Sequence, residues 1–509
     1  MLDALPKQWL PQTWRMSSLL SILNHTSSSA SSPISRLAPE LLISIFELVP
    51  LLCRADTPPK SHDLGWIAIS HVCRRWRIIA LNVPYLWLGI SSPTLPWMQE
   101  ILLRSQPMSI DVRFNLDALE NPYSSWQAFA LAMQNIPRMR SLHLTGQVVD
   151  TLLRTQYSTP APFLEDLRLE LASIPPLGDP FYPDSLFGGE TPVLRALFLK
   201  GLSIRLSSPI LPALSSLAIH GDTRTPRHTL AQWLDALARM PKLETLHLVQ
   251  ALSRTPLAGA DSTFDSSPST VALPVLNALL FANNTLADCV MFTSRLAIPS
   301  SASVEVRTYV TSAEELSPRA LIPSHAHTSI AALHITHSAT GFSIAGALVA
   351  GAAPVFVLSI VIPDPSAVAP AILAALAHFN VASVRSLFID LGGLTLDWSR
   401  VLSRLPALDA IRVRGAALHV FPPALVRAAA DTELACPGLK RLEFEHRPPA
   451  FGARLNKSFF VALKDAVDAR AADGLALEEL VVFGEAVSLR PGSEGFEAMG
   501  LRKVPREFL

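Results

Sequence analysis

Apolar residues recur along this chain as a short motif, apolar-x-x-apolar-x-apolar, separated by stretches with helical periodicity. Segments carrying it begin at Met139, Leu164, Leu194, Leu214, Leu243, Leu276, Ile330, Val355, Val384, Leu408, Leu439 and Leu477, with a weaker version at Val304 and Val306. Alternation at the second and third apolar positions fits a short buried strand. The triplet alone decides little, because a chain this aliphatic would produce about seventeen by chance. Eight of the twelve also have Pro two positions earlier: Pro137, Pro162, Pro192, Pro212, Pro241, Pro274, Pro406 and Pro437. With 42 Pro in the chain, chance supplies about one such combination. Pro cannot continue a helix and is tolerated at the first residue of a strand, so each is expected to end one element and open the next. Between triplets, residues 124–135, 230–240 and 397–405 have the spacing of amphipathic helices. The predicted unit is strand, turn, helix.

Triplet starts lie mostly 24 to 33 residues apart, which is the spacing of leucine-rich repeats, in which each unit buries its face only against its neighbours. The expected fold class is therefore α/β, with about twelve strand-helix units in an irregular leucine-rich-repeat-like solenoid over residues 93–509. No Asn is read at the usual place after the triplet, as Gln147 and Ala172 show, so a regular asparagine ladder is not expected.

A different pattern precedes the repeats. After a Ser-rich stretch at residues 27–35, which overlaps the end of a flexible lead-in assigned to 1–33, apolar positions become dense and helical from Arg36 to about Ile90. Pro39 suits the first residue of a helix, Glu40 suits its positive end, and Pro50 is expected to stop it. Leu41, Leu42, Ile45, Phe46 and Val49 would share one broad face of that helix. A second helix follows a loop at 53–65, with Val72, Trp76, Ile79, Ala80 and Val83 on a stripe. So small a helical unit shows more apolar surface than its own core needs, which implies a partner.

Residues 34–92 resemble the F-box. Leu37, Pro39, Glu40, Leu41, Leu42, Ile45 and Phe46 match its opening, Val72, Cys73, Arg74, Arg75 and Trp76 its middle, and Pro84, Leu86, Trp87 and Ile90 its close. Ala38 stands where the family usually has its first Pro, and the 53–65 loop is long. More loosely, the whole chain resembles fungal F-box proteins with a solenoid behind a short three-helix F-box. The resemblance implies docking onto a small Skp-type adaptor through Leu37, Pro39, Glu40, Leu41, Leu42, Ile45, Phe46, Val72, Cys73 and Trp76. The adaptor would link the chain to a cullin scaffold and a ubiquitin-charged conjugating enzyme. On this reading the chain is the substrate-recognition subunit of an SCF-type ubiquitin ligase and catalyses nothing itself.

Composition narrows the rest. Hydrophobic residues make up 49% and charged ones 17% of 509 residues, which suits a folded chain with a large interior. Lys and Arg (42) balance Asp and Glu (42), so no global field draws nucleic acid or an anionic membrane. The four Cys are scattered, without a C-x-x-C pair, as in a reducing compartment. Pro6, Pro11 and two Trp interrupt the N-terminus where a secretory signal needs an apolar run, so cytoplasm or nucleus is expected. Residues 341–362 carry no charge and are long enough to span a bilayer, but they are rich in Gly and Ala and split by Pro354. A buried helix followed by a strand is the expectation there.

Candidate chemistry is thin. Three Arg around Trp76 read as a solvated helix face rather than a nucleic-acid patch. His334 and His337, with His325 and His327 nearby, lack Cys or acidic companions, and a strand sends i and i+3 to opposite faces, so no metal or other cofactor is expected. Cys289 and Cys436 read as structural thiols. The G-x-S-x-G elbow, the phosphate-binding P-loop and the H-E-x-x-H helix are missing, which disfavours an enzyme. Exposed positions inside the triplets, such as His143, Arg168, His247, Arg412 and Glu443, are the candidate surface for an unidentified protein substrate. Two other classes compete: an interaction scaffold without ligase recruitment, in which the helices cap the repeats, and an enzyme with a scattered site.

Overall fold

The fold is given by a computed structural model that describes residues 33–55, 65–91, 94–117, 122–146, 159–171, 181–182, 186–222, 225–253, 270–310, 330–377, 379, 381–392, 394–415, 421–425, 436–445, 457–482 and 485–488. It is a mixed α/β fold built on large, mostly parallel β-pairing. The second and third apolar positions of all twelve triplets lie on strands, and the second of each, from Leu142 to Leu480, is buried. The weaker pattern at Val304 and Val306 is a full strand as well, Ser303–Tyr309. The chain divides into two compact units, Met1–Pro226 and Arg227–Leu509.

The recurring Pro does not open the strands. In each marked repeat the residue before Pro offers its carbonyl to the N–H of the first triplet residue. Leu164 donates to Ala161 at 3.2 Å, Leu194 to Thr191 at 3.2 Å, Leu408 to Leu405 at 3.3 Å and Leu439 to Cys436 at 3.2 Å; Met139, Leu214, Leu243 and Leu276 do the same. Pro therefore holds the second place of a β-turn, where its fixed φ is the one required. The strand starts only beyond that turn, at Asp166 in the case of Pro162. The first triplet residue is thus a plug beneath the sheet, and the alternating pair belongs to the strand proper.

In the first unit the strands are β1 (Gly89–Ile90), β2 (Ile110–Asn115), β3 (Met139–Thr145), β4 (Asp166–Glu170), β5 (Phe181–Tyr182), β6 (Ala196–Lys200), β7 (Ser203–Ile204) and β8 (Ser216–His220). β1, β2, β3, β4, β6 and β8 pair in that order, all parallel, while β5 and β7 form a small separate pair. Register puts Ile90, Val112, Leu142, Leu167, Leu197 and Leu217 in one buried row and Phe114, Leu144, Leu169, Leu199 and Ile219 in the next. Each fully buried aliphatic side chain contributes about 1.5–3 kcal/mol. Before the ladder come helix α1 (Pro39–Ala55), a 3-10 segment (Gly65–His71) and helix α2 (Arg74–Asn82), flanked by two shorter 3-10 segments (Pro33–Arg36 and Pro84–Trp87), so the described residues hold two α-helices and three 3-10 segments here. The expected stop at Pro50 does not occur: α1 continues to Ala55, because an internal Pro forfeits one N–H bond and crowds one carbonyl without forbidding the turns beyond it. Residues 56–64 of the expected loop lie outside the described residues, as does the Ser-rich lead-in before Pro33.

In the second unit, β9 (Thr245–Val249), β11 (Ala278–Thr285) and β13 (Ser303–Tyr309) pair in parallel, with β10 (Val271–Ala272) and β12 (Leu296–Ala297) as a separate pair. The order then inverts. β13 pairs with β16 (Phe356–Val361), β16 with β15 (Gly341–Ala347), β15 with β14 (Ala332–Ser338), and β14 with β17 (Ser386–Asp390). β15 is antiparallel to both neighbours. Parallel pairing resumes through β18 (Ala410–Arg414), β19 (Arg441–Glu445) and β20 (Glu479–Val482), and β21 (Glu485–Ser488) closes the ladder antiparallel.

The helix expected in residues 341–362 is therefore a strand, and the whole stretch is a β-hairpin. Phe342 and Ile344 alternate inward as a strand requires, and a Cβ at Gly341 would run into the carbonyl of Ile360. At Gly346 a Cβ would come within 2.9 Å of the Ile330 side chain, which occupies that space. Among the described residues no helix is long and apolar enough to cross a membrane.

The asparagine expectation also needs correction. Asn284 stands at the usual place after the triplet begun by Leu276. Its amide donates to Ala282 O at 2.8 Å and its oxygen accepts from Leu252 N–H at 3.4 Å, tying the end of β9 to a bulge in β11. Other repeats have Gln147, Ala172, Leu202, Asp222 and Ala251 at the equivalent places, so a regular ladder does not form, and Asn284 makes the tie seen among the described residues.

Candidate functional site

Residues 34–91 are organised by tryptophans. Trp66, on the 3-10 segment, meets Trp87 edge-on at 5.0 Å, and Trp87 Nε1 donates to Ala80 O at 2.8 Å at the end of α2. Phe46 of α1 meets Trp76 of α2 edge-on at 4.9 Å. Arg75 donates to Leu37 O, and Arg77 Nε donates to Ser70 O at 3.0 Å, so two of the three Arg near Trp76 pin the helices together. Helix α3 (Leu95–Arg104) sends Arg104 over the Trp87 ring at 5.1 Å and to Leu81 O at 2.6 Å. Sequence reasoning passed over Trp66; its signal was an aromatic residue opening the short apolar run Trp66, Ile67, Ala68 and Ile69.

The broad apolar face expected of α1 is two faces. Leu42 and Phe46 are 0% exposed and, with Pro39, form the core side, whereas Leu41 (54% exposed), Ile45 (41%) and Leu48 (55%) form a row facing water. The two rows differ by a single position at each turn, about 100° around the helix. Val72, at 60% exposure, and Cys73 lie ahead of α2, where the Cys73 sulfur accepts the Trp76 N–H as a cap. Glu40 is exposed, while Leu37 and Trp76 are half-buried. The predicted docking residues thus fall into a buried group (Pro39, Leu42, Phe46), a half-buried pair and an exposed group (Glu40, Leu41, Ile45, Val72, Cys73). Leu48 extends the exposed row and was legible as the position one turn beyond Ile45.

The other candidate surface is the polar face of the strands. In the first unit, register sets Arg113, His143, Arg168 and Phe198 side by side. His143 Nε2 lies 3.3 Å from Glu170 Oε1, while Glu170 Oε2 pairs with Lys200 Nζ at 3.3 Å. Burial, then the nearby Arg113 charge, hold the His143 imidazole below its ordinary pKa against the opposing pull of Glu170. Arg168 stacks over Phe198 at 5.6 Å, and Phe198 meets His220 at 4.9 Å.

In the second unit, Phe388, Arg412 and Glu443 stand side by side in register, with His334 on the other flank of Phe388. Arg412 pairs with Glu443 at 3.2 Å and Glu445 at 2.6 Å and lies over Phe388 at 5.5 Å; Arg414 pairs with Glu445 at 3.3 Å and Asp390 at 3.8 Å. His247 is in register with Leu280 and, one strand on, Glu305; burial lowers its pKa. The structure thus brings His143 to Arg168 and Arg412 to Glu443 and leaves His247 on a strand apart from both pairs.

Among the described residues no group of three or more His, Cys, Asp or Glu is placed to hold a metal ion, and His334 and His337 lie on one strand with opposite orientations. His325 and His327 lie outside the described residues. Cys289 and Cys436 are buried thiols pushed up to about 12 and about 11 by burial, the settings of structural rather than nucleophilic sulfur. No family model matches this chain, and no curated protein matches it.

Proposed function

We propose that the chain is an F-box substrate receptor of an SCF-type ubiquitin ligase. Residues 34–92 dock onto a Skp-type adaptor and through it a cullin, and the repeats form an irregular leucine-rich-repeat-like solenoid whose polar face receives a protein substrate. The receptor works in the cytoplasm or nucleus and needs no cofactor. The observation that carries this reading is the exposed row Leu41, Ile45 and Leu48 beside a core already completed by Leu42, Phe46 and the tryptophans. Three aliphatic side chains in one exposed row on α1 are a binding surface in waiting, and covering them contributes on the order of 1 kcal/mol each. The paired charges and stacked rings on the strands supply the directional chemistry that a protein ligand requires.

One observation favours a second reading. Ile90 at the close of the segment pairs with Val112 as the first rung of the ladder, so the helices also cap it. A scaffold without ligase recruitment would need only that. Affinity purification of the full chain from cells distinguishes the two: a receptor brings down adaptor and cullin, and a deletion of residues 34–92 lengthens the lifetime of its bound partners. A chain that recovers the same partners without adaptor or cullin is a scaffold.

A further inference from the structure

We propose that Arg113, His143 and Arg168, side by side on β2, β3 and β4, form a seat for one isolated oxyanion, a phosphoryl group or a carboxylate, carried on a protein segment. This deepens the reading of the strands' polar face as the substrate surface and is independent of ligase recruitment.

The geometry comes from register. Arg113 pairs with His143 and His143 with Arg168, so two guanidinium groups flank one imidazole across strands about 4.8 Å apart. Both Arg are exposed, and their side chains are long enough to lean over the ring between them. Of the acids on this face, Asp111 is engaged by Arg140, and Glu170 bridges Lys200 at 3.3 Å and His143 itself at 3.3 Å, so neither carboxylate pairs with Arg113 or Arg168. Arg113 has no carboxylate partner among the described residues. Arg168 has only an exposed contact with Asp166 at 3.7 Å, which holds it weakly and leaves most of its fork available.

The surroundings select the ligand. Asp111 and Asp166 lie in the row below the seat and Glu170 in the row above, so a polyanion such as nucleic acid would meet carboxylates on either side of its one favourable contact. A single anion on an otherwise neutral or basic peptide meets only Glu170, whose charge is shared with His143 and Lys200. Phe198, held between Arg168 and His220, gives an adjoining flat surface for a neighbouring apolar side chain.

His143 supplies a signature. The charged groups facing it are Arg113 from β2 and Arg168 and Glu170 from β4, with the Thr145 hydroxyl on its own strand. Burial, then the two Arg, lower its pKa, and an anion between the Arg offsets their effect. Binding should therefore take up a proton and weaken as pH rises through the bound-state pKa of His143.

The test is calorimetric titration of the full chain in buffers of different ionisation enthalpy. The probes are a phosphoserine heptapeptide with Gly and Ala flanks, the same peptide with Glu or with Ser at that position, inorganic phosphate, and a single-stranded oligonucleotide. The phosphoserine or the Glu peptide should bind with proton uptake while the Ser peptide does not, and whichever of the two binds more tightly identifies the source of the oxyanion. Arg113→Gln and Arg168→Gln should each weaken that binding about tenfold at unchanged melting temperature. His143→Gln should retain binding and lose the proton uptake. Equal binding of the Ser peptide, indifference to both Arg substitutions, or binding only of free phosphate or the oligonucleotide would overturn the proposal. Variants in the exposed row of α1 should leave peptide binding intact, so failure of the seat and failure of adaptor docking read out separately.

Discussion

The helical segment at residues 34–91 and the strand ladder that follows it treat their apolar residues in opposite ways. The ladder commits its alternating aliphatics to the interior, from Leu142 and Leu167 through to Leu442 and Leu480, and shows water a face on which several charges are paired with one another. The segment buries one row of its first helix and leaves Leu41, Ile45 and Leu48 outside. A core that is complete yet accompanied by spare apolar surface is what the proposed docking segment requires. A face of paired charges belongs to a part that stays wet and selects by geometry.

The comparison can be pressed hardest with thiol chemistry. Cys73 in the segment is exposed, whereas Cys289 and Cys436 in the ladder are buried and pushed up to about 12 and about 11. Peptide mapping after alkylation at pH 8 should find Cys73 labelled on the order of a thousandfold faster than either buried thiol. Comparable rates would mean that the ladder opens. Next comes the core: Leu167→Ala removes a fully buried side chain from the middle of the first ladder and should cost about 2–5 kcal/mol in denaturant unfolding. Trp87→Phe keeps a ring but loses the donor to Ala80 O, and should cost about 1–3 kcal/mol. On the polar face, Arg412→Ala breaks two exposed ion pairs and should change stability by less than about 1 kcal/mol. A larger loss there would mark the charged face as structural rather than as a surface for a ligand.

Much of the ladder was legible because a strand-forming triplet is a local pattern, and Pro two places before it marks a β-turn that is local too. Neighbour order was not. The apolar pattern of β14 and β16 says that each is a strand, while the tight turn between Ser338 and Gly341 sends the chain back on itself and places β16, not β14, beside β13. Residues 341–347 were read as helix because a short charge-free run of Gly, Ala and Ile carries no clear period, and only the close approach of Ile360 and Ile330 makes Gly necessary there. Pro50 was overvalued as a helix stop. At the candidate site the apolar residues of α1 were identifiable, but whether a residue falls on the buried or the exposed row depends on about 100° of rotation, which the packing of Trp76 and Phe46 decides. Asn284 was visible at its expected spacing and was overlooked because other repeats lack it.

The exposed row carries the functional claim, so the most direct measurement is the affinity of the purified chain for a Skp-type adaptor, with and without Leu41→Asp and Ile45→Asp. Both side chains already face water, unlike Leu42, so the double variant should melt with the wild type to within about 1 kcal/mol. The account predicts that adaptor affinity falls by at least about a hundredfold while the fold is unchanged. A folded double variant that binds the adaptor as tightly as the wild type, or a wild type that does not bind it, would contradict the account.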